Sequence, residues 1–167
     1  MTDSAHDDGF VAFRGRWAME IGRFVMAFGS IEGMTYALVR SNFDAPVADV
    51  LLKNMDLGKR LEVLIALAQG KGGGWIAIAN VLKEVEKLAK KRNLIAHNGV
   101  TIDVFLSPEN HLSVTETIRS HRHRRDTRTR TPPEYLVPFE QLVKHREEAE
   151  ALDSQLLDIV RAVTEDV

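Results

Sequence analysis

Residues 75–99 read WIAIANVLKEVEKLAKKRNLIAHNG, and this stretch sets the fold class. Ile78, Val81, Leu82, Val85, Leu88, Ala89, Ile95 and Ala96 recur at helical spacing, which predicts the buried face of a helix from about Trp75 to His97. Lys83, Glu84, Glu86, Lys87, Lys90 and Lys91 cover its outer side. Asn98-Gly99 is a helix stop. The last turns place Arg92, Asn93 and His97 together, immediately before that stop. Cationic and titratable groups at a helix end suit phosphate chemistry, so this is the candidate site.

Upstream, a long helix is predicted from between Phe10 and Gly15 to about Asn42. Its seam, Trp17, Ile21, Phe24, Phe28, Ile31, Thr35 and Leu38, steps alternately by four and three residues. Val25, Met34 and Ala37 are expected to widen the stripe. Gly15, Gly22, Gly29 and Gly33 lower its intrinsic propensity and are candidate points of close helix approach. Glu32 follows Phe28 by one turn and sits beside the seam. It is either a boundary carboxylate reaching water or a partly buried acid paired with a cation from another helix.

Asp44-Ala45-Pro46 breaks the chain before a short helix, about Val47 to Lys53. Asp56 then caps a third helix with Leu57, Leu61, Leu64, Ile65 and Ala68 on one face. Gly70-Lys71-Gly72-Gly73-Gly74 is read as a flexible turn between antiparallel helices. It is no phosphate loop: the spacing is wrong, no Ser or Thr follows the lysine and no strand precedes it.

Downstream, Val100, Ile102, Val104 and Leu106 alternate, Ser107-Pro108-Glu109-Asn110 is turn chemistry, and Leu112, Val114 and Ile118 continue the pattern. This predicts a β-hairpin over about 100–119 that must pack on the helices or on a partner. A basic loop over 119–133 carries Arg119, Arg122, Arg124, Arg125, Arg128 and Arg130 with His121, His123 and one aspartate. A last helix opens near Pro138 and runs to about Thr164, with Leu142, Ala149, Leu152, Leu156, Ile159, Val160 and Val163 inward. The expected fold is mainly α: a four-helix bundle with a β-hairpin inserted before the last long helix.

The 167 residues fit one domain, expected over 10–167 after an acidic, disordered tail at 1–9. The apolar fraction of 44%, charged fraction of 28% and net charge of −2 are ordinary for a soluble domain and exclude indiscriminate nucleic-acid binding by bulk charge. Without cysteine, disulfides, thiolate metal sites and cysteine nucleophiles are excluded. No targeting peptide and no membrane span are read, so the expected compartment is the cytoplasm.

Arg92 offers a permanent charge and a fork of donors suited to phosphate oxygens. His97 can take and return a proton near neutrality, and Asn93, one turn earlier, can orient it or a ligand. Five residues apart, Arg92 and His97 do not share a face of a regular helix. They converge only through arginine's reach, through local unwinding, or around a second copy of the motif at a dimer interface. Such groups cleave RNA without a metal or cofactor. A base deprotonates the 2′-hydroxyl, an acid protonates the leaving 5′-oxygen, and cations stabilise the phosphorane. Plain structural roles stand beside this: an arginine near a helix end caps carbonyls or pairs with an acid such as Glu32, and a histidine before Asn-Gly often merely ends a helix. The basic loop is either a landing strip for RNA phosphates or a solvated charge run. His121 and His123 alone make no metal site.

Arg92-Asn93-Leu94-Ile95-Ala96-His97 resembles the signature of HEPN domains: an arginine, a polar residue after it, a short spacer and a histidine, late in a long helix of an α-helical bundle. The first helix, with Phe28, Ile31 and Glu32, resembles the early helix from which many members face an acid toward the motif. The resemblance implies a homodimer with two motifs facing each other in a shared cleft. It also implies metal-independent endoribonuclease activity in toxin–antitoxin or other defence systems, with an antitoxin or other regulatory protein as a further partner. By position, Arg92 would bind the scissile phosphate, His97 would be acid or base, Asn93 would position, and Glu32 would support. One branch carries a tyrosine two residues after the histidine. Gly99 stands there in this chain, so regulation through that tyrosine is not implied. Other members bind RNA, nucleotides or proteins without cutting, and a non-catalytic module of that kind is the alternative.

Overall fold

The computed structural model describes residues 4–107, 111–120 and 136–165. The elements in order are α1 (Ser4–Asn42), α2 (Ala45–Asn54), α3 (Leu57–Lys71), α4 (Trp75–His97), β1 (Val100–Leu106), β2 (Leu112–Arg119), β3 (Leu136–Pro138) and α5 (Phe139–Glu165). The fold is mainly helical with one small antiparallel sheet. None of the described helices is long and apolar enough to cross a membrane.

The seam of α1 is buried as its spacing predicts: Trp17, Phe24, Phe28, Ile31, Thr35 and Leu38 are all inside, with Ile21 at the margin. Three expectations for this helix need correction. It begins at Ser4, within the segment read as a disordered tail. Val25 and Ala37 point outward, and Ala27 and Val39 flank the seam instead. The glycines are not contact points: a Cβ at Gly15, Gly22, Gly29 or Gly33 would meet nothing within 4 Å.

α2 starts two residues before its expected boundary because Pro46 occupies the first turn, where its missing N–H costs nothing. α3 is capped as predicted, the Asp56 carboxylate accepting from the Lys59 amide at 2.9 Å. Gly72 and Gly73, at φ of 67° and 53°, make the turn into α4 with left-handed conformations that side chains disfavour. Lys71, the last residue of α3, lies 4.1 Å over the Trp75 ring and donates to Asn42, so it braces the turn. α4 has the predicted bounds and buries Ile78, Val81, Leu82, Val85, Leu88 and Ile95. Ala96 is exposed, and Ala79 takes a core place unforeseen by the pattern.

α1 packs along α5, and α4 packs against both α3 and α5. An ionic network, buried at Glu20 and Arg146 and open to solvent at Arg23, ties the first pair. Arg146 donates to Glu20 at 2.8 Å and to Glu150 at 3.1 Å, and Arg23 reaches Glu150 at 2.8 Å. The hydrogen bond to Glu20 raises the already high pKa of Arg146. Burial pushes the Glu150 carboxyl up, but the bonds from Arg23 and Arg146 outweigh it and hold it below the usual carboxylate range.

The hairpin forms in the expected place, Val100 pairing with Ile118 and Leu106 with Leu112. A third strand, absent from the sequence reading, pairs with β2 through Val137 opposite Ile118. Only this root of the sheet is in the core, Ile118 and Val137 being fully buried. The outer apolar face does not pack on the helices among the described residues: Val104, Leu106 and Val114 are 59%, 66% and 52% exposed. The sheet is fastened to α1 by Glu116, which accepts from Trp17 Nε1 at 3.1 Å and from Arg16. Phe139 of α5 meets the Trp17 ring edge-on at 5.1 Å.

Candidate functional site

Arg92 stands late in α4, whose Leu88 and Ile95 are buried in the same core as Phe28 and Ile31 of α1. This brings its guanidinium to Glu32: Nη2 donates to Oε1 at 3.0 Å, and both side chains are about three-quarters buried. Nη1 donates to Asn93 Oδ1 at 3.1 Å. Nε is sealed from solvent with no hydrogen-bond partner. Glu32 is therefore the acid paired across helices, not a boundary carboxylate. Thr35, fully buried, donates its hydroxyl to the Glu32 carbonyl at 2.7 Å and steadies that turn of α1.

His97 is exposed at the last position of α4. No hydrogen bond or ion pair is made by its ring among the described residues. α4 ends there because Asn98 turns extended, with its side-chain amide donating to the Leu94 carbonyl at 2.7 Å. Gly99 needs no left-handed conformation to end it. Within one chain Arg92 turns inward to Glu32 while His97 faces solvent. The two are not brought onto one wall, in keeping with their spacing of five residues.

The basic cluster divides. Arg119 ends β2 and is held by Asp103 across the hairpin, with its Nε buried and unpartnered, so it is a sheet residue and not an open landing point. Arg122, Arg124, Arg125, Arg128 and Arg130 lie outside the described residues, as do His121 and His123. A cleft of about 510 Å³ opens between α4 and α5, where Lys87, Lys91, His145 and Glu148 rim Leu88 and Leu152. It is lined by neither Arg92 nor His97. No group of three or more potential metal ligands occurs among the described residues.

No protein-family model, no curated protein and no solved structure matches the chain.

One charged residue near the site escaped the sequence reading. Arg60 of α3 is 3% exposed and lies against Tyr36 of α1. Its signal was present: Leu57, Arg60 and Leu64 step by three and four, which puts a cation on the core-facing row of an amphipathic helix. Glu20, buried beside Trp17 and Phe24, is legible in the same way.

Proposed function

We propose that the chain is a metal-independent endoribonuclease of the HEPN type, acting as a homodimer whose two Arg92–His97 motifs share one cleft. The four long helices are read as the bundle of that family, with the hairpin inserted before its last helix. The observation that carries the reading is the division of labour at the end of α4. Arg92 is aimed and restrained by Glu32 and Asn93, while His97, within a helical turn and a half, stands exposed and unpaired among the described residues. A restrained guanidinium is preorganised for a phosphodiester, and an unpaired imidazole is available for proton transfer. Since one chain does not bring the two together, a second copy supplies what is missing.

In the reaction, one His97 removes the proton from a ribose 2′-hydroxyl. The 2′-oxygen bonds to the adjacent phosphorus, the bond from phosphorus to the 5′-oxygen breaks, and the second His97 protonates that oxygen. The products are a 2′,3′-cyclic phosphate and a 5′-hydroxyl. Arg92 neutralises charge on the phosphorane, Asn93 orients, and Glu32 fixes the arginine. A role in prokaryotic stress or defence, with a neutralising protein partner, belongs to the same proposal.

The Glu32–Arg92 bond favours a second reading as well. An arginine already satisfied by an acid suits a non-catalytic module that binds RNA, a nucleotide or a protein. Cleavage of single-stranded RNA in excess EDTA, by folded wild type and by His97→Ala, separates the two. The nuclease reading expects cyclic-phosphate ends from wild type and none from the variant. Equal cleavage by both removes His97 from the chemistry, and binding without cleavage by wild type selects the module.

A further inference from the structure

The row of α1 that holds Arg92 continues into a second cationic contact. Tyr36 follows Glu32 by four residues, about 6 Å along the helix. Its ring lies under the Arg60 guanidinium, 4.0 Å from centroid to central carbon, yet the residue is 41% exposed. Arg60 itself is 3% exposed. Two of its three guanidinium nitrogens, Nε and Nη1, are sealed from solvent without a hydrogen bond. No acid pairs with it among the described residues.

A buried cation with neither carboxylate nor carbonyl is an anomaly that folding alone does not reward. Buried charges are normally paired, and a ring face offsets only part of the desolvation cost. A well-packed apolar residue would stabilise the same position better. The resting place is also easily left. Because the buried nitrogens make no hydrogen bond, the long side chain can swing outward past Tyr36 without breaking one. The surface beside it is open: Gly29 and Gly33, on the adjoining row of α1, have nothing within 4 Å of a Cβ position. One turn beyond Tyr36, the exposed Arg40 extends the cationic row, with Asp49 as its 3.2 Å partner.

Resting on the reading that Arg92 meets an RNA phosphate, we propose that Tyr36 and Arg60 form a second nucleotide subsite. Arg60 receives the phosphate next to the scissile one, and Tyr36 stacks the base between them. The ligand class is single-stranded RNA longer than the cleaved step. Duplex RNA does not fit, because its bases are already stacked and cannot reach the ring. The subsite lies on the helical body and uses none of the arginines of the basic loop.

The test is binding of an uncleavable 2′-O-methyl hexanucleotide and of a 2′-O-methyl dinucleotide bearing one phosphate. The proteins are wild type, Arg60→Met, Tyr36→Leu and Arg92→Gln, all full length. Arg60→Met and Tyr36→Leu are expected to weaken the hexanucleotide about tenfold and leave the dinucleotide unchanged. Arg60→Met also lowers the salt dependence of hexanucleotide binding by about one phosphate contact. Arg92→Gln weakens both ligands. Arg60→Met is further expected to raise the melting temperature by about 2–4 °C, since it removes an unpartnered buried charge. Undiminished hexanucleotide affinity in Arg60→Met and Tyr36→Leu overturns the subsite, whatever Arg92→Gln does. Weakening by those two but not by Arg92→Gln keeps the subsite and removes Arg92 from the phosphate. A hexanucleotide that fails to bind wild type overturns both. Tyr36→Leu, changed at an exposed ring, carries the test if Arg60→Met folds poorly.

Discussion

Arg92 and Arg60 are two buried guanidiniums in opposite circumstances. Arg92 has an acid and an amide to hold it in one orientation, whereas among the described residues Arg60 has a ring and no hydrogen-bonding acid. Replacing Glu32 by Gln leaves the arginine without its counter-charge and is expected to cost about 1 kcal/mol of stability, read by urea denaturation. The same change is expected to slow RNA cleavage, because Arg92 loses its aim. Arg92→Lys keeps the charge but not the planar fork, and about a hundredfold loss in kcat with an unchanged fold is expected from steady-state kinetics. At this scale the sequence offered Glu32 as an acid for Arg92 but gave Arg60 no part. Glu32 and Arg92 are sixty positions apart, and only the crossing of α1 with α4 turns two plausible charges into one bond. Arg60 was hidden because a charged residue on an apolar row is normally read as an edge position.

Helices α1 and α5 are joined at their middle by charge as well as by packing. Glu20 is 6% exposed and its partner Arg146 is almost as deeply placed, so truncating Arg146 to Met strands a carboxylate in the core. A loss of about 3–5 kcal/mol in unfolding free energy is expected. Replacing both Glu20 and Arg146 by apolar residues of like size recovers most of it. Glu150 gives this junction a pH dependence. Its folded pKa is depressed, so its contribution is present above the unfolded carboxylate range and is lost as pH falls through the folded value. Thermal melts from neutrality to acid pH should fall more steeply for wild type than for Glu150→Gln. The helices were legible wherever a long periodic seam governed them: α4 has the predicted bounds, and α1 buries its predicted seam. What the pattern could not supply was non-local. β3 is three residues long and exists only because Val137 finds Ile118. The alternation of the hairpin marked strands correctly but did not reveal that Val104, Leu106 and Val114 stay exposed, with no described helix packed on them.

For the whole molecule, the helical body sets Arg92 in a partly buried place and leaves His97 exposed at the end of α4, so on the proposed reading one chain presents half of a catalytic arrangement. Composition and charge bounded the possibilities, and the end of α4 carries the residues of the proposed chemistry. The pairing of copies is the step on which the proposed activity turns. It is tested most directly by mixing wild type with His97→Ala under conditions that exchange subunits, then following RNA cleavage in EDTA against the wild-type fraction. If acid and base come from two chains, only wild-type homodimers cut, and an equimolar mixture retains about one quarter of the activity of the same total concentration of wild type. Activity that falls in simple proportion to the wild-type fraction, to about one half at equimolarity, would show a complete site in each chain and contradict the shared cleft.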